Sequence, residues 1–310
     1  MKKIIFILSI FLTTQAFAQT EIDGLMMKKK YFCVGVTAGT STWKNYWEGN
    51  FKRDNLNLGK VSSNNIMVNG NYGITTKLNV IFTVPYIKTK ASAGQLAGQK
   101  GLQDLSLYVK WVAKEKQIKK AILKGIIIGG VSVPLTNYTP DLLPLSIGLK
   151  SKTTSIRAMA DYQKNNWFGT ASATYFYRGN VKLDRNTYYT TRLHYSNMVN
   201  MPSACNFNIR GGYRSETWII EAIANKWVTN AGFDITKNNM PFVSNKMNAT
   251  SIGFHVKYET NFVDGLSFVT DGITTITGRN VGQTKGFTLG AFYIMDFTKK
   301  KKETTTTTTK

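Results

Sequence analysis

The chain has 310 residues, with 40 Lys and Arg against 17 Asp and Glu, a formal net charge of +23 and 42% hydrophobic residues. Two cysteines and two histidines lie far apart and make no metal-ligand spacing, and no Walker or Rossmann glycine pattern occurs, so neither a metal nor a nucleotide cofactor is implied. Past the amino-terminal segment the longest apolar run, Ala121 to Leu135, is interrupted by Lys124 and several glycines and falls short of the ~18 residues that a membrane-spanning helix needs.

Lys2 and Lys3, the apolar run Ile4 to Leu12, and Ala16-Phe17-Ala18 form the three parts of a secretory signal. Residues 1–18 are expected to be removed, leaving a mature chain from Gln19 whose net charge falls from +23 to +21 with the loss of the two lysines. No cysteine stands at the cleavage point, so a lipid anchor is not expected.

From Tyr31 onward, short runs alternate apolar and polar side chains. In Asp104 to Trp111 every second residue is apolar. Ile252, Phe254, Val256 and Tyr258 alternate with Ser251, Gly253, His255, Lys257 and Glu259, and Phe207 and Ile209 with Asn206, Asn208 and Arg210. Strand side chains point to opposite faces in turn, so each run has one oily and one wet face. Without spanning helices, the form that satisfies its backbone in lipid is a closed barrel.

About twelve such strands are predicted, near 31–40, 61–72, 77–89, 103–113, 121–134, 153–163, 167–178, 203–213, 217–230, 249–260, 265–278 and 285–297. The connections between them alternate short (73–76, 114–120, 164–166, 214–216, 261–265) and long (41–60, 91–101, 137–151, 179–202, 233–248). Outer-membrane barrels have short inner turns and long outer loops, and an even strand number puts both chain ends on the short-turn side. Tyr72, Tyr86, Trp111, Tyr162, Trp167, Tyr177, Tyr213, Trp218, Tyr258 and Tyr293 fall near strand ends, where interfacial aromatic girdles form. The fold class expected is therefore all-β: a transmembrane antiparallel up-and-down barrel over 19–298, followed by a disordered polar Lys/Thr tail at 299–310. Alternation places Cys33 on the wet face and Cys205 on the oily one, which argues against a disulfide between them.

The segment Thr76-Lys77-Leu78-Asn79-Val80, running through Val84-Pro85-Tyr86 to Gly101-Leu102-Gln103-Asp104-Leu105, resembles the exported barrels of the "MetA-pathway of phenol degradation" transporter type found in Bacteroidota. Gln103 replaces a glycine often found there. Weaker likeness continues in Pro144 to Gly148, Trp167-Phe168 and Ile209 to Arg214. The resemblance implies an outer-membrane channel taking up small molecules.

Inward charges of both signs would line the lumen: Asp104, Lys110, Arg157, Asp161, Arg210, Glu221, His255, Lys257 and Glu259, with Asp104 placed to pair with Arg157, Lys110 or Lys257. A competing motif is His194-Tyr195-Ser196-Asn197, because residues two apart on a strand share a face. His194 would then be the base and Ser196 the nucleophile of an acyl hydrolase acting on outer-membrane lipid, with Asp184 or Glu221 orienting the histidine.

The sequence thus predicts a channel or transporter for passive or selective uptake of a small hydrophobic or anionic solute, without enzyme activity or cofactor. Its expected partners are outer-membrane lipid, lipopolysaccharide, the barrel-assembly machinery and the solute, and no nucleic acid. The alternatives are the hydrolase at His194 and Ser196, and a structural or adhesive surface barrel with basic loops such as Lys52-Arg53.

Overall fold

The computed structural model describes residues 20–236 and 239–298; the expected signal and polar tail lie outside them. Twelve long strands follow one another: β1 (Tyr31–Trp43), β2 (Val61–Thr75), β3 (Leu78–Ala91), β4 (Asp104–Ile118), β5 (Ala121–Pro134), β6 (Thr153–Lys164), β7 (Trp167–Arg178), β8 (Ala204–Arg214), β9 (Trp218–Thr229), β10 (Asn248–Glu259), β11 (Leu266–Arg279) and β12 (Lys285–Asp296). Each pairs antiparallel with the next, and β1 pairs with β12 through Tyr31↔Asp296 to Thr42↔Lys285, so the sheet closes on itself. Closure leaves the wall without a free edge, as a lipid-embedded sheet requires.

The pleat sorts the side chains as the alternation demands. On β4, Leu107, Val109 and Trp111 are exposed on the outside, while Lys110 between them is fully buried on the inside. Large apolar side chains outside and buried charges inside invert the arrangement of a water-soluble protein, and match lipid outside and a polar interior. Trp167 meets Tyr213 edge-on at 5.7 Å, and Trp218 packs on Tyr258 at 4.6 Å, both beside short turns. Tyr86 and Tyr177 are exposed toward the opposite rim.

Several strands run past the expected ends, β1 to Trp43 and β4 to Ile118. The β4–β5 turn is therefore Lys119-Lys120 rather than 114–120. Lys119 takes a positive φ of 55°, a conformation whose usual sequence marks are Gly and Asn, so two lysines concealed the turn. Asn165, at φ 53° in the equivalent β6–β7 turn, is such a mark.

The long connections fold into a cap at the other end. Val181, Leu183, Tyr188, Val199 and Met201 of the β7–β8 connection bury themselves against Val243 of the β9–β10 connection, with Leu143 and Leu149 of the β5–β6 connection packed alongside. Asp234 of the β9–β10 connection accepts hydrogen bonds from Arg279 Nε (2.7 Å) and Nη2 (2.6 Å) and from Asn280 Nδ2 (2.7 Å), tying this loop to the end of β11.

Candidate functional site

The inward faces of β4 and of β6 through β11 carry most of the charge. Lys110, Arg157, Arg178, Arg210, Arg214 and Lys257 are buried there, as are the acids Asp161 and Glu221. Arg214 Nη1 lies 3.5 Å from Asp161, and its guanidinium covers the Phe168 ring at 3.6 Å. Lys257 pairs with Glu259 at 3.2 Å, and His255 Nδ1 meets Asp271 Oδ1 at 2.6 Å across β10 and β11. Arg210 Nε comes within 3.1 Å of Glu221 Oε2, an ion pair by distance, but the approach angle is too poor for a hydrogen bond.

Of the nine side chains expected in the lumen, Lys110, Arg157, Asp161, Arg210, Glu221 and Lys257 are buried, His255 and Glu259 are partly buried, and Asp104 keeps different company. It accepts a hydrogen bond from the Tyr138 hydroxyl at 2.8 Å instead of pairing with Lys110, Arg157 or Lys257. Asp104 starts β4 at the capped end, and at ~3.3 Å per residue Lys110 is about 20 Å farther along the strand. Burial and the neighbouring Asp104 carboxylate push the Tyr138 phenol up from its ordinary range.

The largest departure from expectation lies before β1. Residues 20–27 run through the interior of the barrel, and Lys28 to Lys30 are exposed where the chain turns into β1. Lys110 Nζ donates to Thr20 O (2.8 Å), Asp23 O (2.8 Å) and Asp23 Oδ1 (3.1 Å), and Arg157 Nη1 donates to Glu21 O (2.5 Å). Met27 is buried with Cys33, Val269, Phe292 and Ile294 of β1, β11 and β12, whereas Met26 packs on Val112, Ile126, Ile128 and Met159 of β4 to β6, so the segment reaches from one wall across to another. At Gly24 the backbone passes so close to the wall that a Cβ would fall 2.1 Å from Asp161 Cγ.

Asp23 also accepts from Thr20 N (2.5 Å), Thr20 Oγ1 (2.8 Å) and Leu25 N (2.8 Å). Burial opposes its ionisation, but the Lys110 ammonium and these donors outweigh burial and hold its carboxyl below the ordinary range. Sequence reasoning missed Glu21 and Asp23 because the segment has no alternation to mark it. Arg214 falls on the wet face by alternation but was not singled out, and Arg178 stands at a strand end where periodicity is weakest.

Among the cavities at the capped end, one of about 350 Å³ is bordered by Asp141, Arg185, Tyr189, Phe233 and Phe242, and another of about 280 Å³ by Trp43, Tyr46, Leu58, Leu96 and Pro144. Ile235, Asn239, Met240 and Pro241 border both.

His194 and Ser196 also lie in the cap, and each is engaged elsewhere. The His194 ring stacks on Tyr188 at 4.6 Å, with Nε2 2.9 Å from Thr190 Oγ1, and Ser196 Oγ accepts from the Met198 amide at 3.0 Å. Cys33 points inward and Cys205 outward on separate strands, and neither is in a disulfide. Among the described residues no group of three or more His, Cys, Asp or Glu side chains could hold a metal ion.

No family model matches the chain, and no curated protein matches it. Among solved structures it is similar to the COG4313 outer membrane channel from Pseudomonas putida F1, with a TM-score of 0.68 and 12% identity over 90% of this chain and 100% of that one. The fold is that of outer-membrane β-barrels. More distant similarities include the translocator domain of the autotransporter NalP from Neisseria meningitidis (TM-score 0.45, 10% identity, 88% of this chain and 90% of that one) and the TodX monoaromatic hydrocarbon channel (0.44, 9%, 87% and 91%).

Proposed function

We propose that this protein is an outer-membrane channel for uptake of a small solute, of the transporter type that its 76–105 segment resembles, exported by a cleaved signal and inserted by the barrel-assembly machinery. The observation that carries this reading is the inward-facing charge of a closed twelve-strand wall, Lys110, Arg157, Arg210, Glu221 and Lys257, inside an apolar exterior. Buried charges of both signs on a barrel's inner face set up a transverse field that favours some solutes over others. The apolar belt meets lipid, and exposed cap cations such as Lys52 meet lipopolysaccharide phosphates. An acyl hydrolase would need His194 turned toward Ser196, and both are committed to other partners.

The test is single-channel recording of the refolded mature protein, Gln19 to Lys310, in planar bilayers, with selectivity taken from the reversal potential. Resolved conductance steps with anion preference are expected. A barrel that inserts but stays silent to ions and to small solutes in liposome-swelling assays would overturn the channel reading.

A further inference from the structure

The interior segment meets the wall cations Lys110 and Arg157 through acceptors. Lys110 carries three N–H donors and is fully buried; Thr20 O, Asp23 O and Asp23 Oδ1, all on the segment, take one each. Arg157 divides its donors, Nε bonding the wall residue Thr174 (2.6 Å) and Nη1 the segment's Glu21 O. These acceptors are one carboxylate oxygen and three carbonyl oxygens, and a small dicarboxylate likewise offers several oxygen acceptors and no donor.

The charge balance points the same way. Among the described residues, the buried wall cations are Lys110, Arg157, Arg178, Arg210, Arg214 and Lys257, against the buried acids Asp161 and Glu221 and the partly buried Glu259 that pairs with Lys257; the remaining buried acid is Asp23, on the segment. With the segment withdrawn, the wall keeps a surplus of buried cations that an anion must offset. On its carboxyl side the segment leads into β1, where Lys30 N bonds Gly73 O at 2.7 Å, and the contacts of residues 20–27 with the wall are non-covalent.

We propose that residues 20–27 occupy a carboxylate-binding subsite of the lumen in place of the solute, and that the solutes admitted are small organic acids which take over Lys110 and Arg157 from the segment. This inference rests on the channel reading and names its substrate class. The lumen is then narrowed by its own imitation of the solute and widened by the solute's competition.

Cys33 supplies a readout independent of conduction, since Met27 covers it on the inner wall. In a Cys205→Ser background, the rate at which a small thiosulfonate modifies Cys33 in the full mature protein is measured with succinate or with its neutral analogue succinamide, and single-channel current is recorded under the same conditions. Succinate is expected to speed modification several-fold and to raise the current, and succinamide to do neither. Asp23→Asn should speed modification without any acid, and Lys110→Gln should remove the succinate response. Equal rates with succinate and succinamide in the wild-type chain, or an undiminished succinate response in Lys110→Gln, would overturn the subsite. Conduction indifferent to succinate would discard the subsite and keep the channel; Cys33 responding in a barrel that never conducts would keep the subsite and discard the channel. Should Lys110→Gln fail to refold, the wild-type and Asp23→Asn arms decide.

Discussion

The Arg214 guanidinium lies 3.6 Å from the Phe168 ring centre and 3.5 Å from Asp161, so one side chain of β8 clasps β7 and β6 from inside the barrel. A planar, weakly hydrated guanidinium can cover a ring and face a carboxylate at once, and a lysine ammonium cannot. Arg214→Lys is expected to cost about 1–2 kcal/mol through loss of the desolvated cation–π contact. The check is urea unfolding from lipid vesicles, and unchanged stability would show that the stacking contributes nothing.

Removing one member of the Lys110–Asp23 pair should cost far more than removing both. Asp23→Ala strands a buried ammonium, at roughly 3–5 kcal/mol, whereas Lys110→Met with Asp23→Ala leaves an apolar contact. A double-mutant cycle on the temperature of heat-induced mobility change measures the difference. Additive effects would mean that the two residues do not act as a pair.

Lys119 holds a left-handed conformation that favours glycine. Lys119→Gly should stabilise the barrel by roughly 0.5 kcal/mol, the relief of the left-handed strain less the added flexibility of the unfolded chain. Vesicle unfolding resolves this in replicate, and destabilisation would show that the lysine side chain has a compensating contact.

Ile209 is 63% exposed at the middle of β8, on the lipid side, while Asn208 beside it faces inward. Ile209→Arg should destabilise by about 2–4 kcal/mol, the depth-dependent cost of a cation at the bilayer midplane. Ile209→Val should change little. Equal tolerance of Arg and Val in a membrane-refolding assay would place this face away from lipid.

The cap should loosen in acid. Hydrogen bonds from Arg279 outweigh burial and hold the Asp234 carboxyl below its ordinary value of 3.8. A depressed carboxyl contributes its stability fully above that ordinary value and loses it as pH falls through the lower, folded value. The β9–β10 connection should therefore show no change in order between neutrality and pH 5 and open to pepsin only under stronger acid. Asp234→Asn should be open to the same degree throughout, because the charged bonds are gone at every pH. The effect is small, since Asp234 is solvent-exposed and screened.

Alternation with a period of two determined most of the wall by itself, because each strand of a barrel meets lipid on one side and the interior on the other. Leu107 and Val109 against Tyr108 and Lys110, or Ile252 and Phe254 against His255 and Lys257, needed no tertiary information to sort. The alternation of short and long connections supplied the even strand number and the shared side of the chain ends. Where a turn used residues without turn character, as at Lys119-Lys120, the strand end was displaced.

Only the tertiary structure decided which inward charges meet. Asp104 and Lys110 share a face, but they sit at different depths, and a periodic pattern carries no depth. The interior course of residues 20–27 was equally hidden, since a segment without secondary structure takes its place from distant partners. Asp23 reaches Lys110, Gly24 abuts Asp161 and Met27 meets Phe292, and closing the sheet is what brings these residues together. Local periodicity therefore determined the wall, while the contents of the lumen followed from long-range contacts that exist only once β1 has joined β12.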